Sequence, residues 1–208
     1  MTITKPEYIN LFPTPVICTS LDRDFSKEET DFFYKQLESV NCNEGNVTST
    51  NSYILEEPEM KSLKIIIQEA LNLYMSTIIV PKNKLNVKIT QSWLNLTEEN
   101  HYHHKHSHSN SIISGVLYID TCDETDKITF HNPKSWWSEQ IAIPTNDYNE
   151  WNSPSWWIPA ETKSILMFPS QLQHSVKTIT TKKRISLAFN TWVDGELGDH
   201  FTLTQLKM

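Results

Sequence analysis

The pattern of hydrophobic and polar positions divides the chain into a helical first part and a strand-rich remainder. Ser26 and Glu29 have the spacing of a capping box, and apolar residues follow at helical spacing, which predicts an amphipathic helix over roughly 26–40. Pro58 suits a first helical turn. Apolar residues then recur every three or four positions as far as Pro81, which predicts a second helix.

Later segments predict β-strands, because β-branched and aromatic residues are concentrated in them and polar or proline-containing stretches bound them. These segments are 87–96, 111–120, 127–133, 155–159, 164–169 and 184–192. Helices followed by many strands predict a mainly β fold, either a sandwich or a jelly roll, with two flanking α-helices in the N-terminal part.

The length of 208 residues predicts a single domain over 1–208. We divide it into an N-terminal segment with the helices (1–85), a jelly-roll core (86–196) and a C-terminal tail (197–208). A net charge of −7 argues against a nucleic-acid or anionic-membrane partner, which would need a basic surface. Three scattered cysteines and the absence of a signal-peptide pattern favour a cytoplasmic protein.

The last predicted strand has two chemically different faces. Ile185, Leu187 and Phe189 alternate with Arg184, Ser186, Ala188 and Asn190. Period-two alternation places Arg184 and Ser186 on the same side. Such a polar face lies against either solvent or a polar cavity, and the strand taken alone favours solvent.

Residues 101–108 contain five of the eight histidines of the chain. In an extended segment, His106 and His108 project from one face, which is the geometry of two ligands on one metal ion. His174 is the strongest candidate for a third ligand. The alternatives are a solvated polar loop for the tract and a hydrogen-bonded core histidine for His174.

Several sequence segments together resemble the 2-oxoglutarate-Fe(II) oxygenases, and in particular a bacterial and bacteriophage branch with an H-x-H-x-N-S-x-x-S-G motif. The segments near the histidines are HSHSNSIISGVLYI, FPSQLQHSV and RISLAFNTW, and those elsewhere are YINLFPTPV, NVTSTNSYIL and ITQSWLNL. Because these segments occur in order from residue 8 to residue 192, the resemblance covers essentially the whole chain.

The resemblance implies a double-stranded β-helix and an Fe(II)- and 2-oxoglutarate-dependent dioxygenase that hydroxylates an unidentified substrate, releasing succinate and CO2. It places the metal on His106, His108 and His174, and the distal carboxylate of 2-oxoglutarate on Arg184 and Ser186. The polar face of the last strand would then line the cavity. If a phage encodes the chain, its location would be the cytoplasm of the bacterial host.

His108 departs from the pattern of this superfamily, most members of which have a carboxylate at that position. Three neutral histidines are also a catalytic zinc set. The alternative function is therefore a cupin-like jelly roll that binds zinc or manganese and has no oxygenase activity. A shifted assignment with His104 and His106 as the first pair is open, although the N-S-x-x-S-G spacing favours His106 and His108.

Three further residues are candidates for contacting the cosubstrate from neighbouring strands, namely Asn95, Ser114 and Tyr118. They could equally satisfy hydrogen bonds inside the barrel. His131 lies either at the cavity mouth or in a loop. The remaining histidines of the tract, His101, His103 and His104, either shape the entrance or are solvated.

Five tryptophans fall within a short stretch that is rich in proline. They are Trp136, Trp137, Trp151, Trp156 and Trp157. They form either an aromatic binding platform or the core of an insertion. An acidic, tryptophan-rich rim favours a peptide or small-molecule substrate over a nucleic acid, and the sequence leaves homo-oligomerisation open.

Overall fold

The computed structural model describes residues 4–122, 125–133 and 143–208. The helices are α1 (Lys27–Gln36) and α2 (Lys61–Tyr74). The strands are β1 (Ile17–Ser20), β2 (Val40–Cys42), β3 (Val47–Ser49), β4 (Leu85–Glu98), β5 (His103–His106), β6 (Ile113–Asp120), β7 (Lys127–His131), β8 (Ser155–Pro159), β9 (Ser164–Pro169), β10 (His174–Val176), β11 (Lys183–Leu197) and β12 (Leu206–Lys207).

The strands form two antiparallel sheets. The larger sheet has the order β1-β9-β6-β11-β4-β3-β2, with β12 added beside β11, and the smaller sheet has the order β5-β10-β7-β8. The mainly β jelly roll with two flanking helices, which the sequence predicts, is confirmed.

The two faces of the larger sheet pack against different partners. Leu187 and Phe189 belong to one buried cluster with residues of α1 and α2, such as Phe33 and Leu71. On the opposite face, residues of β6 and β9 pack against Ile128 and other apolar residues of the smaller sheet. The helices therefore cover one side of the larger sheet, and the smaller sheet covers the other.

The polar face of β11 is buried. Arg184, Ser186 and Asn190 are only 4%, 6% and 7% exposed. They alternate with residues of the helix-side cluster, and therefore they face the space between the sheets. Solvent, which the strand taken alone favours, is therefore the wrong environment for this face, and that it lines a cosubstrate cavity stays a prediction.

Both helices are shorter than the sequence pattern predicts. The capping box is present, since Glu29 N donates to Ser26 Oγ at 3.1 Å and Ser26 N donates to Glu29 Oε2 at 2.8 Å. The helix ends by Gln36 because the chain enters β2 at Val40. The second helix continues as a π-helical turn over 75–79 and is ended by a left-handed residue, Val80 (φ 47°).

Six strands have no clear signal in the sequence. Five of them, β1, β2, β3, β10 and β12, have two to four residues, and β5 has the polar sequence HHKH. Strand propensity is weak over such lengths, so pairing with longer neighbours determines their conformation. The N-terminal segment consequently contributes three strands to the larger sheet in addition to its helices. Among the described residues, no helix is long and apolar enough to cross a membrane.

Candidate metal and cosubstrate site

Three histidines meet at one end of the smaller sheet. His106, the last residue of β5, is paired with His174, the first residue of β10. His108 lies just beyond β5, where its backbone N donates to Ser170 O at 2.9 Å. One nitrogen from each ring lies within 4.8 Å of the others, and His108 Nε2 is 3.3 Å from His174 Nε2. We call this set the first trio.

Backbone hydrogen bonds orient two of these rings. His106 Nδ1 is 2.9 Å from His104 O, and His174 Nδ1 is 3.0 Å from Leu172 O. Because a carbonyl oxygen can only accept, each Nδ1 carries the proton and each Nε2 keeps its lone pair. This arrangement, a histidine held through its second nitrogen, is the usual one for a metal ligand.

Burial favours the neutral form of all three rings. Burial, followed by the effect of the neighbouring His106, lowers the pKa of His108 to about 4 and that of His174 to about 3. The pKa of His106 is also lowered, again mainly by burial. Neutral imidazoles can bind a metal ion without first losing a proton.

Metal-free protein should lose stability on acidification in a window set by these rings. The unfolded chain protonates histidine near pH 6.5, whereas His108 in the folded chain does so at about 4. The unfolded state therefore binds more protons below about pH 6.5, and the free energy of unfolding should fall as the pH drops from there toward about 4. Urea unfolding midpoints at about pH 7.5, 6 and 5 measure this. His108→Gln should reduce the change of the midpoint with pH, and the control His200→Gln, which alters an exposed histidine, should not. A midpoint independent of pH would show that the rings are solvated.

Arg184 is a buried cation without an acidic partner among the described residues. Its Nη1 donates to Lys127 O of the smaller sheet at 2.8 Å, and its guanidinium carbon lies 5.1 Å from the centroid of the Tyr118 ring. No salt bridge joins it to an Asp or Glu within the described ranges. Because an unpaired buried charge is costly, this position favours an anionic ligand.

Three predicted cosubstrate residues stand side by side across three strands. Ser186 on β11 is paired with Asn95 on β4 and with Tyr118 on β6. Asn95 Oδ1 and Tyr118 Oη are buried and have no hydrogen-bond partner within the part of the chain that the structure describes. Burial raises the pKa of Tyr118 to about 12, against the opposing effect of Arg184. The row therefore offers a hydroxyl that stays protonated and an unused amide oxygen.

Ser114 has a different environment from the other cosubstrate candidates. Its Oγ lies 2.8 Å from both Ser170 Oγ and Asn190 Oδ1, and Ser170 Oγ donates to Ser111 Oγ at 2.7 Å. These contacts already use the hydroxyl of Ser114. The hydrogen-bonding role inside the barrel therefore accounts for this residue.

His103 is a residue of the site that sequence reasoning misses. The pairing of β5 with β10 is irregular: His174 is paired with His106, and Val176 is paired with His103. The chain therefore advances three residues along β5 but only two along β10 between these pairs, which is a β-bulge. This bulge turns His103 toward the site. Burial and then the nearby His106, His104, His174 and Arg184 lower its pKa to about 2. No sequence signal marks the bulge.

The other histidines lie around the site. His104 Nδ1 is 3.3 Å from Glu44 O in the β2–β3 turn, and His101 is exposed. His131 ends β7, and its Nε2 is 2.9 Å from Ser175 Oγ of β10. Trp151, Trp156 and Trp157 are 45%, 56% and 52% exposed, so they are not core residues. Trp136 and Trp137 lie outside the described residues.

Residues 91–190 match the sequence profile of a family described as "Putative 2OG-Fe(II) oxygenase". No curated protein matches the sequence. Solved structures with a similar fold include the epimerase SnoN from nogalamycin biosynthesis (TM-score 0.61, 13% identity, covering 86% of this chain and 78% of that chain). Another is HygX from Streptomyces hygroscopicus, solved with nickel, 2-oxoglutarate and hygromycin B (TM-score 0.55, 10% identity, covering 86% of this chain and 82% of that chain).

A prolyl-4-hydroxylase from Pseudomonas putida has the same fold (TM-score 0.54, 11% identity, covering 85% of this chain and 92% of that chain). At such low identity these likenesses show the fold alone. The family match includes both histidine positions of the H-x-H pair, His174, Arg184 and Ser186. Within residues 91–190, just under half of the chain, the sequence is therefore similar to the 2-oxoglutarate-Fe(II) oxygenases.

Proposed function

We propose that the chain is an Fe(II)- and 2-oxoglutarate-dependent dioxygenase that hydroxylates an organic substrate. The observation that carries this proposal is the buried, acid-free Arg184, which shares the space between the sheets with the first trio. Arg184 and two members of the first trio, His106 and His174, each contribute to lowering the pKa of His103, after the larger effect of burial.

The first trio fits a ferrous ion. Imidazole suits iron as well as zinc, and three protein ligands leave positions open for other ligands. Because the three rings are neutral, they cancel none of the charge of a divalent ion. A dianion such as 2-oxoglutarate, bound between that ion and Arg184, would offset two of their three positive charges.

The chain's own residues fit the cosubstrate as well. We expect Arg184 to bind the distal carboxylate through its planar fork, and the Ser186 hydroxyl to donate to the same group. Tyr118 Oη and Asn95 Oδ1 have no protein partner among the described residues, so a ligand or water would satisfy them. With both groups bound, the site supplies oxidative decarboxylation of 2-oxoglutarate to succinate and CO2, coupled to hydroxylation of a substrate C–H bond by dioxygen.

Iron-loaded protein should convert 2-oxoglutarate to succinate slowly even without its substrate. The residues around the cosubstrate are already in place in the folded chain, so turnover should depend on iron, dioxygen and an added reductant such as ascorbate, which supplies the two electrons that the absent substrate would otherwise give. Succinate is measured by chromatography in air and under nitrogen. Phe201→Ala, which changes an exposed side chain remote from the site, serves as the control. Absence of succinate from fully iron-loaded, aerated protein would count against oxygenase activity.

The second candidate is the cupin-like jelly roll that binds zinc or manganese without oxygenase activity. The absence of a carboxylate from the first trio favours it, since three histidines are a zinc set. This candidate assigns no role to Arg184 and Ser186. Binding of 2-oxoglutarate to the metal-loaded protein therefore separates the two candidates.

The substrate class that we propose is a peptide or a small molecule that reaches the site from the side of the exposed tryptophans. Hydroxylation itself is part of the proposal, since the similar folds include an epimerase and a carbocyclase. We further propose one domain over 1–208 and a cytoplasmic location, which the three free cysteines support.

A further inference from the structure

A second set of three imidazoles overlaps the first trio. One nitrogen each of His103, His104 and His106 lies within 4.8 Å of the other two. We call this set the β5 trio. We propose that the β5 trio is a second position for Zn(II), or for another divalent ion that prefers imidazole, and that it is occupied instead of the first trio and not together with it.

Hydrogen bonds leave the same nitrogen available on each ring of the β5 trio. His104 Nδ1 and His106 Nδ1 face the backbone oxygens of Glu44 and His104 at 3.3 and 2.9 Å, so their Nε2 atoms keep a lone pair. His103 Nε2 lies 3.3 Å from Asn43 Nδ2, a donor, and therefore also carries a lone pair.

A metal ion would displace only one weak contact. At 3.3 Å the Asn43–His103 hydrogen bond is long, and Asn43 Nδ2 keeps a shorter bond of 2.8 Å to Asn46 Oδ1. The three rings are half-buried, with ring centroids between 4.5 and 5.3 Å apart. The bulge in β5 and the β2–β3 turn hold them in place, unlike the side chains of a solvated histidine loop.

Sharing of His106 makes the two positions exclusive. Its Nδ1 proton is directed at His104 O, so the ring has one lone pair and can bind one ion. An ion in the β5 trio would take His106 from the first trio. Three histidines are enough for zinc, which divalent imidazole sites generally bind more tightly than iron. Under the proposed function, zinc in the β5 trio would inhibit the enzyme.

The test isolates the β5 trio in full-length protein that carries His108→Gln and His174→Gln. Zinc binding is measured by competition with a chelating dye. We expect about one Zn(II) per chain in this background and about one, not two, in wild type. Adding His104→Gln should weaken zinc binding by more than about 100-fold, since loss of a mere hydrogen-bond partner of a ligand already costs about 10- to 100-fold.

The matched control adds His101→Gln, which removes an exposed histidine of the same tract. It should leave zinc affinity unchanged. No zinc binding in the background, or equal losses with His101→Gln and His104→Gln, would overturn the proposal, and two ions in wild type would overturn the exclusivity. If circular dichroism shows that the double variant is unfolded, His174→Gln alone provides the background. Iron and 2-oxoglutarate binding by wild type reports on the first trio, so failure of the proposed function is seen separately.

Discussion

Replacing His174 with alanine is expected to abolish the visible charge-transfer band that Fe(II) and 2-oxoglutarate form with the protein under anaerobic conditions. The change removes one of three ligands, and the remaining pair loses the ring that His108 Nε2 faces at 3.3 Å. We expect Fe(II) affinity to fall by more than about 100-fold, because loss of only a hydrogen-bond partner of a ligand already costs about 10- to 100-fold.

His131→Ala is the matched control for His174→Ala. His131 is also a histidine of the smaller sheet, but it is only half-buried, its Nε2 contacts Ser175 Oγ, and it belongs to neither trio. The control should keep the band and the iron affinity. An unchanged band in His174→Ala would remove this residue from the set of ligands, and a loss of the band in both variants would point to damage to the smaller sheet.

Replacing Arg184 with glutamine is expected to weaken 2-oxoglutarate binding by roughly 30- to 700-fold while iron binding stays nearly intact. Loss of one partner from a buried, charge-assisted pair costs roughly 2–4 kcal/mol, and each 1.4 kcal/mol is about a factor of ten. Arg184→Lys should recover only part of the loss, because an ammonium group cannot reproduce the fork. Titration of the charge-transfer band with 2-oxoglutarate gives the 2-oxoglutarate affinity of wild type and of both variants.

Lys183→Gln is the control for this series. Lys183 precedes Arg184 on β11, but it pairs with Asp120 at 3.0 Å and is 42% exposed in its side chain. It should bind 2-oxoglutarate as wild type does. An unchanged affinity in Arg184→Gln would leave the buried guanidinium without a ligand role and would favour the zinc or manganese jelly roll.

The direction of side chains on β11 could be predicted from the sequence, but the environment of each face could not. Period-two alternation places Arg184 with Ser186, whatever covers them. Whether solvent or a second sheet lies over that face depends on strands far away in the chain, such as β7, whose Lys127 O accepts a hydrogen bond from Arg184. The family resemblance supplied this non-local information.

The N-S-x-x-S-G part of the motif acquires a physical explanation from packing. Gly115 lies against the ring of Phe189 so closely that a Cβ atom would collide with it. Ser114 beside it holds Ser170 and Asn190 in a buried hydrogen-bond network. These residues therefore shape the barrel beneath the first trio. The assignment to a bacterial and bacteriophage branch stays a prediction.

The position of His103 could not be predicted, because it depends on a bulge that only the pairing of β5 with β10 reveals. In an uninterrupted strand, His103 and His106 would point to opposite faces. The irregular register brings both to the same place, with ring centroids 4.5 Å apart. The histidine tract thus contains ligand candidates for two overlapping sets rather than one pair and a solvated remainder.

The most direct test of the proposed function is an anaerobic crystal structure of the wild-type chain with Fe(II) and 2-oxoglutarate. We predict one iron ion bound by His106, His108 and His174, with the distal carboxylate of 2-oxoglutarate on Arg184 and Ser186. Iron bound away from these histidines, or 2-oxoglutarate absent from the space between the first trio and Arg184, would contradict the proposed function.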